Sequence, residues 1–131
     1  MIYNSIFIEG DQETIDNIEA SISSEKTLLE DLFPMAKHTT SVTIWKRANW
    51  GITEIKDMYF NQHHCSGKIV KAAIMIGFEA DSKALKWVEH VSNKFKNATF
   101  ELEVDENEAS QYRSLAKFKN GERLSNQLTL F

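Results

Sequence analysis

Two stretches of the chain place apolar residues on one side of a helix. Isoleucines recur at spacings of three and four over residues 15–22, directly after Asp11, whose carboxylate suits a helix N-cap. Apolar residues keep the same spacing over residues 84–95, and Asp81 and Ser82 precede them as N-cap candidates. The pattern therefore predicts two amphipathic helices.

Five further segments favour β-strands, because they alternate or are rich in β-branched and aromatic residues. They are residues 2–8, 55–60, 69–78, 100–104 and 112–118. The apolar run over residues 72–78 indicates a strand buried on both faces, and Asn120-Gly121 is typical of a hairpin turn. This order of elements predicts an α+β fold. We expect a ferredoxin-like antiparallel sheet with two helices on one face and a C-terminal hairpin.

Three segments leave alternatives open. Residues 28–33 lie before a proline and fit either type of element. Residues 39–45 have the composition of a strand, but Trp45 and Trp50 would also suit a packed helical turn before a glycine. Residues 61–67 are predicted to form a loop between two strands.

Length and composition indicate one globular domain. The chain has 131 residues, of which 42% are hydrophobic and 26% charged, so a disordered chain and a coiled coil are excluded. No apolar run approaches the roughly 20 residues that cross a bilayer. The N-terminal residues lack the pattern of a secretory signal, and the single cysteine, Cys65, cannot form an internal disulfide. We therefore expect a cytoplasmic protein.

Several short motifs follow one another along these elements. They are residues 4–10, Leu32-Phe33-Pro34-Met35, Trp45, Asn49-Trp50-Gly51, Gly77-Phe78-Glu79-Ala80, Phe100-Glu101-Leu102-Glu103 and Lys119-Asn120-Gly121-Glu122. Together they resemble the YubB-like ferredoxin-like family, which is found in plasmids, phages and prophages. The resemblance implies a domain over residues 1–122 and a bacterial host cell as its location. It also implies that Trp45, Asn49, Trp50 and Gly51 are family-motif or interface residues.

Candidate catalytic and metal-binding residues are few. His63, His64 and Cys65 are adjacent, but a zinc site needs about four converging ligands and the sequence has no second cysteine. Adjacent positions also do not place the His64 imidazole over the Cys65 thiol, as nucleophilic catalysis requires. The five glycines are isolated, so the sequence has no glycine-rich phosphate loop. We therefore expect no metal, no cofactor and no catalytic residue.

A short tail, residues 123–131, carries a candidate partner-binding peptide. Its last five residues resemble the bacterial sliding-clamp-binding motif; they are Gln127, Leu128, Thr129, Leu130 and Phe131. In such a peptide Leu130 and Phe131 would fill a hydrophobic pocket of the clamp, and the Gln127 amide would fix the register by hydrogen bonds. The alternative is a last strand whose leucines cover the sheet.

These observations predict a non-catalytic phage or plasmid protein that binds a host protein, the sliding clamp, and so modulates host replication. An alternative is an inhibitor of a host defence or restriction system, which acts through the acidic residues 1–36. A third is an RNA or single-stranded DNA binding module, in which the aromatic residues Tyr59, Phe60, Tyr112 and Phe118 stack on bases. Because the acidic strand over residues 100–104 repels phosphate, nucleic acid is not the favoured partner.

Overall fold

The computed structural model describes the backbone of residues 1–65, 71–105 and 112–130, and the side chains of residues 1–62, 72–105 and 115–124. In these ranges the chain forms six strands and four helices. The helices are α1 (Gln12–Ala20), α2 (Leu28–Leu32), α3 (Val42–Asn49) and α4 (Leu85–Lys94). The strands are β1 (Ile2–Gly10), β2 (Ile55–Cys65), β3 (Lys71–Ala80), β4 (Ala98–Asp105), β5 (Tyr112–Lys119) and β6 (Glu122–Leu130).

All six strands belong to one sheet, and every neighbouring pair is antiparallel. The strand order is β2-β3-β1-β4-β5-β6, so β1 lies between β3 and β4. β5 and β6 form a hairpin, and Asn120 and Gly121 in its turn have φ angles of 55° and 76°. Two consecutive positive φ angles are typical of a type I′ turn. The predicted α+β class, antiparallel sheet and C-terminal hairpin are confirmed.

One face of the sheet is buried against helices. In β4 every buried residue alternates with a partly exposed one, as expected of a strand with one face in the core. Ile6, Phe78 and Phe100 are fully buried strand residues, and they share one core cluster with Ile18 of α1 and Trp87 of α4. This apolar face holds the helices in place, because its burial is the main favourable term in folding.

The other face of the sheet is partly exposed. Met75 and Glu79 of β3 are half-buried, whereas the residues on either side of each are buried. The predicted burial of residues 72–78 on both faces is therefore wrong at Met75. β3 is a central strand, but its second face is not closed by a helix among the described residues.

The described residues form four helices, whereas the sequence predicted two. The two segments with open alternatives, α2 and α3, are helical, and Ser41 begins α3 by accepting a hydrogen bond from the Ile44 N–H at 3.4 Å. The loop predicted over residues 61–67 is wrong for residues 61–65, which belong to β2, and residues 66 and 67 lie outside the described residues. None of the four helices that the structure describes is long and apolar enough to span a membrane.

A buried asparagine on β1, rather than the predicted Asp81 or Ser82 cap, fixes the start of α4. Asn4 is fully buried; its Oδ1 accepts from the Ala84 N–H at 3.0 Å, and its Nδ2 donates to the Ser82 carbonyl at 3.1 Å. Asp81 instead accepts from the N–H and the hydroxyl of Thr53 at 2.8 and 2.7 Å. The Asn4 contacts join the first strand to the last helix across 80 residues.

We predict that Asn4→Ala lowers the free energy of unfolding by about 2 kcal/mol, because it removes the partner of the buried Ala84 N–H and the Asn4 hydrogen bond to the partly buried Ser82 carbonyl. Urea denaturation measures this loss. Ser5→Ala on the opposite face of the same strand is the matched control and should change stability by less than about 0.5 kcal/mol. Equal effects of the two substitutions would contradict the structural role of Asn4.

Candidate functional site

Two indole groups hold the short helix α2 in place. Trp87 donates from Nε1 to the Leu29 carbonyl at 3.1 Å, and Trp50 donates from Nε1 to the Phe33 carbonyl at 3.2 Å. A helix of five residues is not stable by itself, because nucleation costs more than so few backbone hydrogen bonds return. The position of α2 therefore depends on these two tryptophans and on its own buried leucines.

The predicted motif residues Trp45 and Trp50 belong to an aromatic cluster at the C-terminal end of α2. Trp45 makes edge contacts with Phe33 and Trp50, at ring-centroid distances of 5.4 and 5.7 Å. Phe33 also stacks on His90 of α4 at 3.7 Å. Burial lowers the pKa of His90, and the nearby charge of Lys94 lowers it further. Trp50 is buried, with 2% of its surface exposed, whereas Trp45 is half-buried.

Asn49 and Gly51 shape the end of α3. The Asn49 Nδ2 donates to the Trp45 carbonyl at 2.9 Å. Gly51 has φ of +77°, and a Cβ at this position would lie 3.3 Å from the Lys83 carbonyl oxygen. Glycine is therefore required here both by the backbone conformation and by the close approach of the chain before α4. The structure brings all four predicted motif residues together, and the contacts described for them lie within the chain.

A cleft of about 780 Å³ opens beside this cluster, between the turn before α2, the side of α3 and the first residues of β2. We call it the α2–β2 cleft. Apolar side chains line it; they are Leu29, Met35, Trp50, Ile55 and Met58. Charged side chains of both signs also line it; they are Glu25, Lys26, Glu30, Lys46, Glu54, Lys56 and Asp57.

Contacts within the chain fix two walls of the cleft. The Lys46 ammonium lies 5.2 Å from the centroid of the Trp50 ring, in the geometry of a cation–π contact. The Glu30 carboxylate accepts a hydrogen bond from the Met35 N–H at 3.1 Å, which ties the segment after α2 back to that helix. Lys46 and Met35 are therefore held in place before any ligand arrives.

Asp57, in the β2 side of the cleft, has an unusual backbone conformation. Its φ is +56°, in the left-handed region, and the pairing of β2 with β3 shifts register between Lys56 and Tyr59. This irregularity is a β-bulge, and bulges often redirect a side chain next to a binding site. Aspartate tolerates the left-handed region better than most residues, but glycine does so at lower cost.

Asp57 and the other charged residues of the cleft were not predicted from the sequence. One signal was present, since aspartate is depleted within strands and Asp57 interrupts a segment predicted as a regular strand. The other lining residues come from separate parts of the sequence, and only the placement of α2 and α3 brings them together.

The predicted partner-binding peptide lies largely outside the described side chains. The backbone of residues 127–130 belongs to β6 and pairs with β5, with Leu128 opposite Ser114 and Leu130 opposite Tyr112. Side chains 125–131, and Phe131 entirely, lie outside the described residues. The peptide therefore stays a prediction. The side chains of His63, His64 and Cys65 also lie outside the described set; within it, no group of three or more His, Cys, Asp or Glu residues could hold a metal.

Comparison with known proteins gives one distant structural likeness. No family model matches the chain, and no curated protein does. A solved structure of a phage SAM lyase in complex with S-methyl-5'-thioadenosine is similar over 99% of this chain and 89% of its own. The sequence identity is 10% and the TM-score is 0.32.

This neighbour corrects the function predicted from the sequence. It is an enzyme, which does not fit the non-catalytic protein predicted from the sequence. The prediction of that function is therefore wrong. A likeness with a TM-score of 0.32 carries neither the neighbour's substrate nor its activity to this chain.

We predict that Asp57→Gly leaves the free energy of unfolding within about 0.5 kcal/mol of its value or raises it, whereas Asp57→Ala lowers it by about 1 kcal/mol. The reason is the left-handed backbone, which glycine adopts freely and alanine does not. The matched position is Asp16 inside α1, where the ranking should reverse because alanine favours helix and glycine does not. Thermal or urea unfolding measures the stability of each variant. If glycine and alanine had the same order of stability at both positions, the left-handed conformation of Asp57 would be contradicted.

Proposed function

We propose that this protein binds a small organic molecule, with charged groups of both signs and an apolar part, in the α2–β2 cleft. The volume of the cleft, about 780 Å³, falls in the range of roughly 300–1,000 Å³ that is usual for ligand pockets. The apolar lining would cover the hydrophobic part of the ligand, and carboxylates and lysines would orient its polar groups.

The backbone of Asp57 carries this proposal. A non-glycine residue at positive φ costs of order 1–3 kcal/mol and persists where the surrounding structure enforces it, often at functional sites. Here the strained residue belongs to the lining of the cleft, and so does Lys46. If this surface served packing alone, glycine at this position would make the protein more stable, because glycine removes the backbone strain.

The residue types in the cleft also suit chemistry beyond binding. Carboxylates and lysines are groups that accept and donate protons in general acid–base catalysis. Glu25, Glu54 and Asp57 supply carboxylates, and Lys26 and Lys46 supply ammonium groups. Ligand binding is the step that the geometry supports, and any reaction would follow from it.

We also propose that the fold is ferredoxin-like, built from β1, α1, β2, β3, α4 and β4. The strand order β2-β3-β1-β4 with antiparallel neighbours supports this assignment, since two β-α-β units then interleave in one sheet. In this arrangement α1 and α4 are the two helices of the predicted pair. α2, α3 and the β5–β6 hairpin are additions, and the additions α2 and α3 build the cleft. The resemblance to the YubB-like family stays a prediction.

The four methionines of the chain provide a direct test of the cleft. Met35 and Met58 line it, whereas Met75 lies on the half-exposed sheet face and Met1 at the N-terminus. With the methionine methyl groups labelled for NMR, we would add amino acids, nucleosides and S-adenosylmethionine, which combines an apolar part with charges of both signs. We expect binding compounds to shift the methyl signals of Met35 and Met58 and to leave those of Met1 and Met75 unchanged. Compounds that shift Met75 alone, or no binding at millimolar concentration, would contradict the proposal.

A charge-removing variant tests the role of the bulge carboxylate in the same experiment. Asp57→Asn keeps the size and the tolerance of positive φ, and we expect it to weaken binding about tenfold, the value of one charged hydrogen bond. Asp16→Asn on α1 removes the same charge away from the cleft and should leave affinity unchanged. Equal affinities of the two variants would show that Asp57 does not contact the ligand.

A further inference from the structure

Helix α3 leaves two aliphatic side chains in solvent. Val42 is 49% exposed and Ile44 is 72% exposed, the largest fraction among the large apolar residues that the structure describes. No residue of α3 is buried. β-branched residues are also poorer helix formers than alanine or leucine, so isoleucine at this position contributes neither to the core nor to helix propensity. Folding alone therefore does not account for Ile44.

A groove of about 540 Å³ lies beside Ile44, between α3 and residues 36–41. We call it the α3 groove. Its apolar lining residues are Ala36, Ile44, Trp45 and Ala48. Edge contacts with Phe33 and Trp50 hold Trp45 in place before any partner binds. None of the described residues that line this groove also lines the α2–β2 cleft, so the two sites are separate.

The positive charges around the α3 groove have no acidic partners among the described residues. Residues 32–53 contain lysine and arginine but no aspartate or glutamate, and none of the described lining residues is acidic. Lys37 and His38 line the groove, and Arg47 is exposed on α3. The structure describes no ion pair or hydrogen bond for the side chains of Lys37, His38 or Arg47. The lysine and arginine charges are therefore available to a partner.

We propose that the α3 groove binds an acidic polypeptide segment that carries an apolar side chain. The apolar side chain would pack against Ile44 and Trp45, and neighbouring carboxylates would pair with Lys37 and Arg47. Ile44 and Arg47 are three residues apart, so they are neighbours on one side of the helix and a single segment can reach both. Arginine also binds a carboxylate with two parallel N–H donors. The inference does not depend on the ligand proposed for the cleft.

Two polyanionic partners fit the described residues less well. RNA and an anionic membrane would both offer phosphates to the cations of the groove, but the chain has a net charge of −4 and so repels extended polyanions. Of the aromatic residues predicted to stack on bases, Phe118 is fully buried, Phe60 packs against the core and the Tyr112 side chain lies outside the described residues. The fourth, Tyr59, is exposed but does not line the α3 groove.

A second copy of the chain also fits less well. Its helix α1 carries Glu13, Asp16 and Glu19 and no lysine or arginine. None of the exposed large apolar residues that the structure describes lies on α1. That helix therefore offers carboxylates without the apolar side chain that would cover Ile44.

Three short peptides test this inference: one with glutamates around two leucines, one with serines in place of those leucines, and one with lysines in place of the glutamates. Fluorescence anisotropy of the labelled peptides at low ionic strength gives their affinities. We expect the glutamate–leucine peptide to bind most tightly, and its binding to weaken when salt is added, because salt screens exposed charges. The net negative charge of the chain would by itself favour the lysine–leucine peptide, so the order of affinities separates the groove from general attraction.

Two variants with matched controls locate the binding. Arg47→Gln should weaken binding of the glutamate–leucine peptide about fivefold, the value of an exposed ion pair, and Ile44→Ser about tenfold, because it removes the apolar contact. The controls Lys96→Gln and Leu124→Ser remove an exposed lysine and an exposed leucine that do not line the groove, and should leave the affinity unchanged. Circular dichroism checks that all four variants are folded, and Arg47→Gln keeps the test decisive if Ile44→Ser does not fold.

Several results would overturn the inference. Equal binding of the glutamate–leucine and glutamate–serine peptides would reduce the effect to charge, and equal effects of Arg47→Gln and Lys96→Gln would place the binding elsewhere. Tighter binding of the lysine–leucine peptide, of an oligouridine RNA or of phosphatidylserine vesicles would overturn it as well. So would no peptide binding at millimolar concentration, or self-association in analytical ultracentrifugation that Ile44→Ser abolishes, because the latter would assign the groove to a second copy of the chain.

Discussion

The hydrogen bonds from Trp50 and Trp87 to carbonyl groups of α2 and of the residue after it are the interactions on which the candidate site depends. α2 contains five residues, so it has no stability of its own and takes its position from its contacts. The Trp87 N–H adds a second hydrogen bond to the Leu29 carbonyl, which also accepts from the Phe33 N–H at 3.0 Å, and the Trp50 N–H reaches the carbonyl of Phe33 just after the helix. Because residues of α2 line the α2–β2 cleft, these two bonds help to hold one wall of the cleft in place.

The cleft also depends on an irregularity at the edge of the sheet. β2 is an edge strand, and a bulge there interrupts regular pairing and discourages another chain from adding to the edge. The same bulge holds Asp57 in a left-handed conformation beside the cleft. One local feature thus serves two purposes: it protects the edge and presents a carboxylate. Its backbone strain is offset by the extensive pairing and burial of the central strands.

Much of the central sheet could be predicted from the sequence, because its residues obey clear periods. The alternation over residues 100–104 predicted β4. Asp11 caps α1 as predicted, because its carboxylate accepts a hydrogen bond from the Thr14 N–H at 2.8 Å. Asn120 and Gly121 form the predicted turn. α3 was ambiguous because its β-branched residues favour a strand, while the Ser41 cap and the packing of Trp45 against Phe33 favour the helix. Long-range contacts of this kind override local preference.

The candidate site could not be predicted, because its lining residues are far apart in the sequence and carry no common spacing. Asn4 shows the same difficulty: it caps a helix from a strand 80 residues away, where sequence rules look only at the residues just before the helix. Of the residues that the resemblance suggested, Trp45, Asn49, Trp50 and Gly51, the described lining of the cleft includes Trp50. Their role as a family motif or an interface stays a prediction.

Crystals of the protein soaked with a library of small fragments would show where ligands bind, because electron density locates each fragment. We expect bound fragments to concentrate in the α2–β2 cleft, with polar groups facing Asp57 and Lys46. Fragments that gather elsewhere, while a cleft open to solvent in the crystal stays empty, would contradict this expectation.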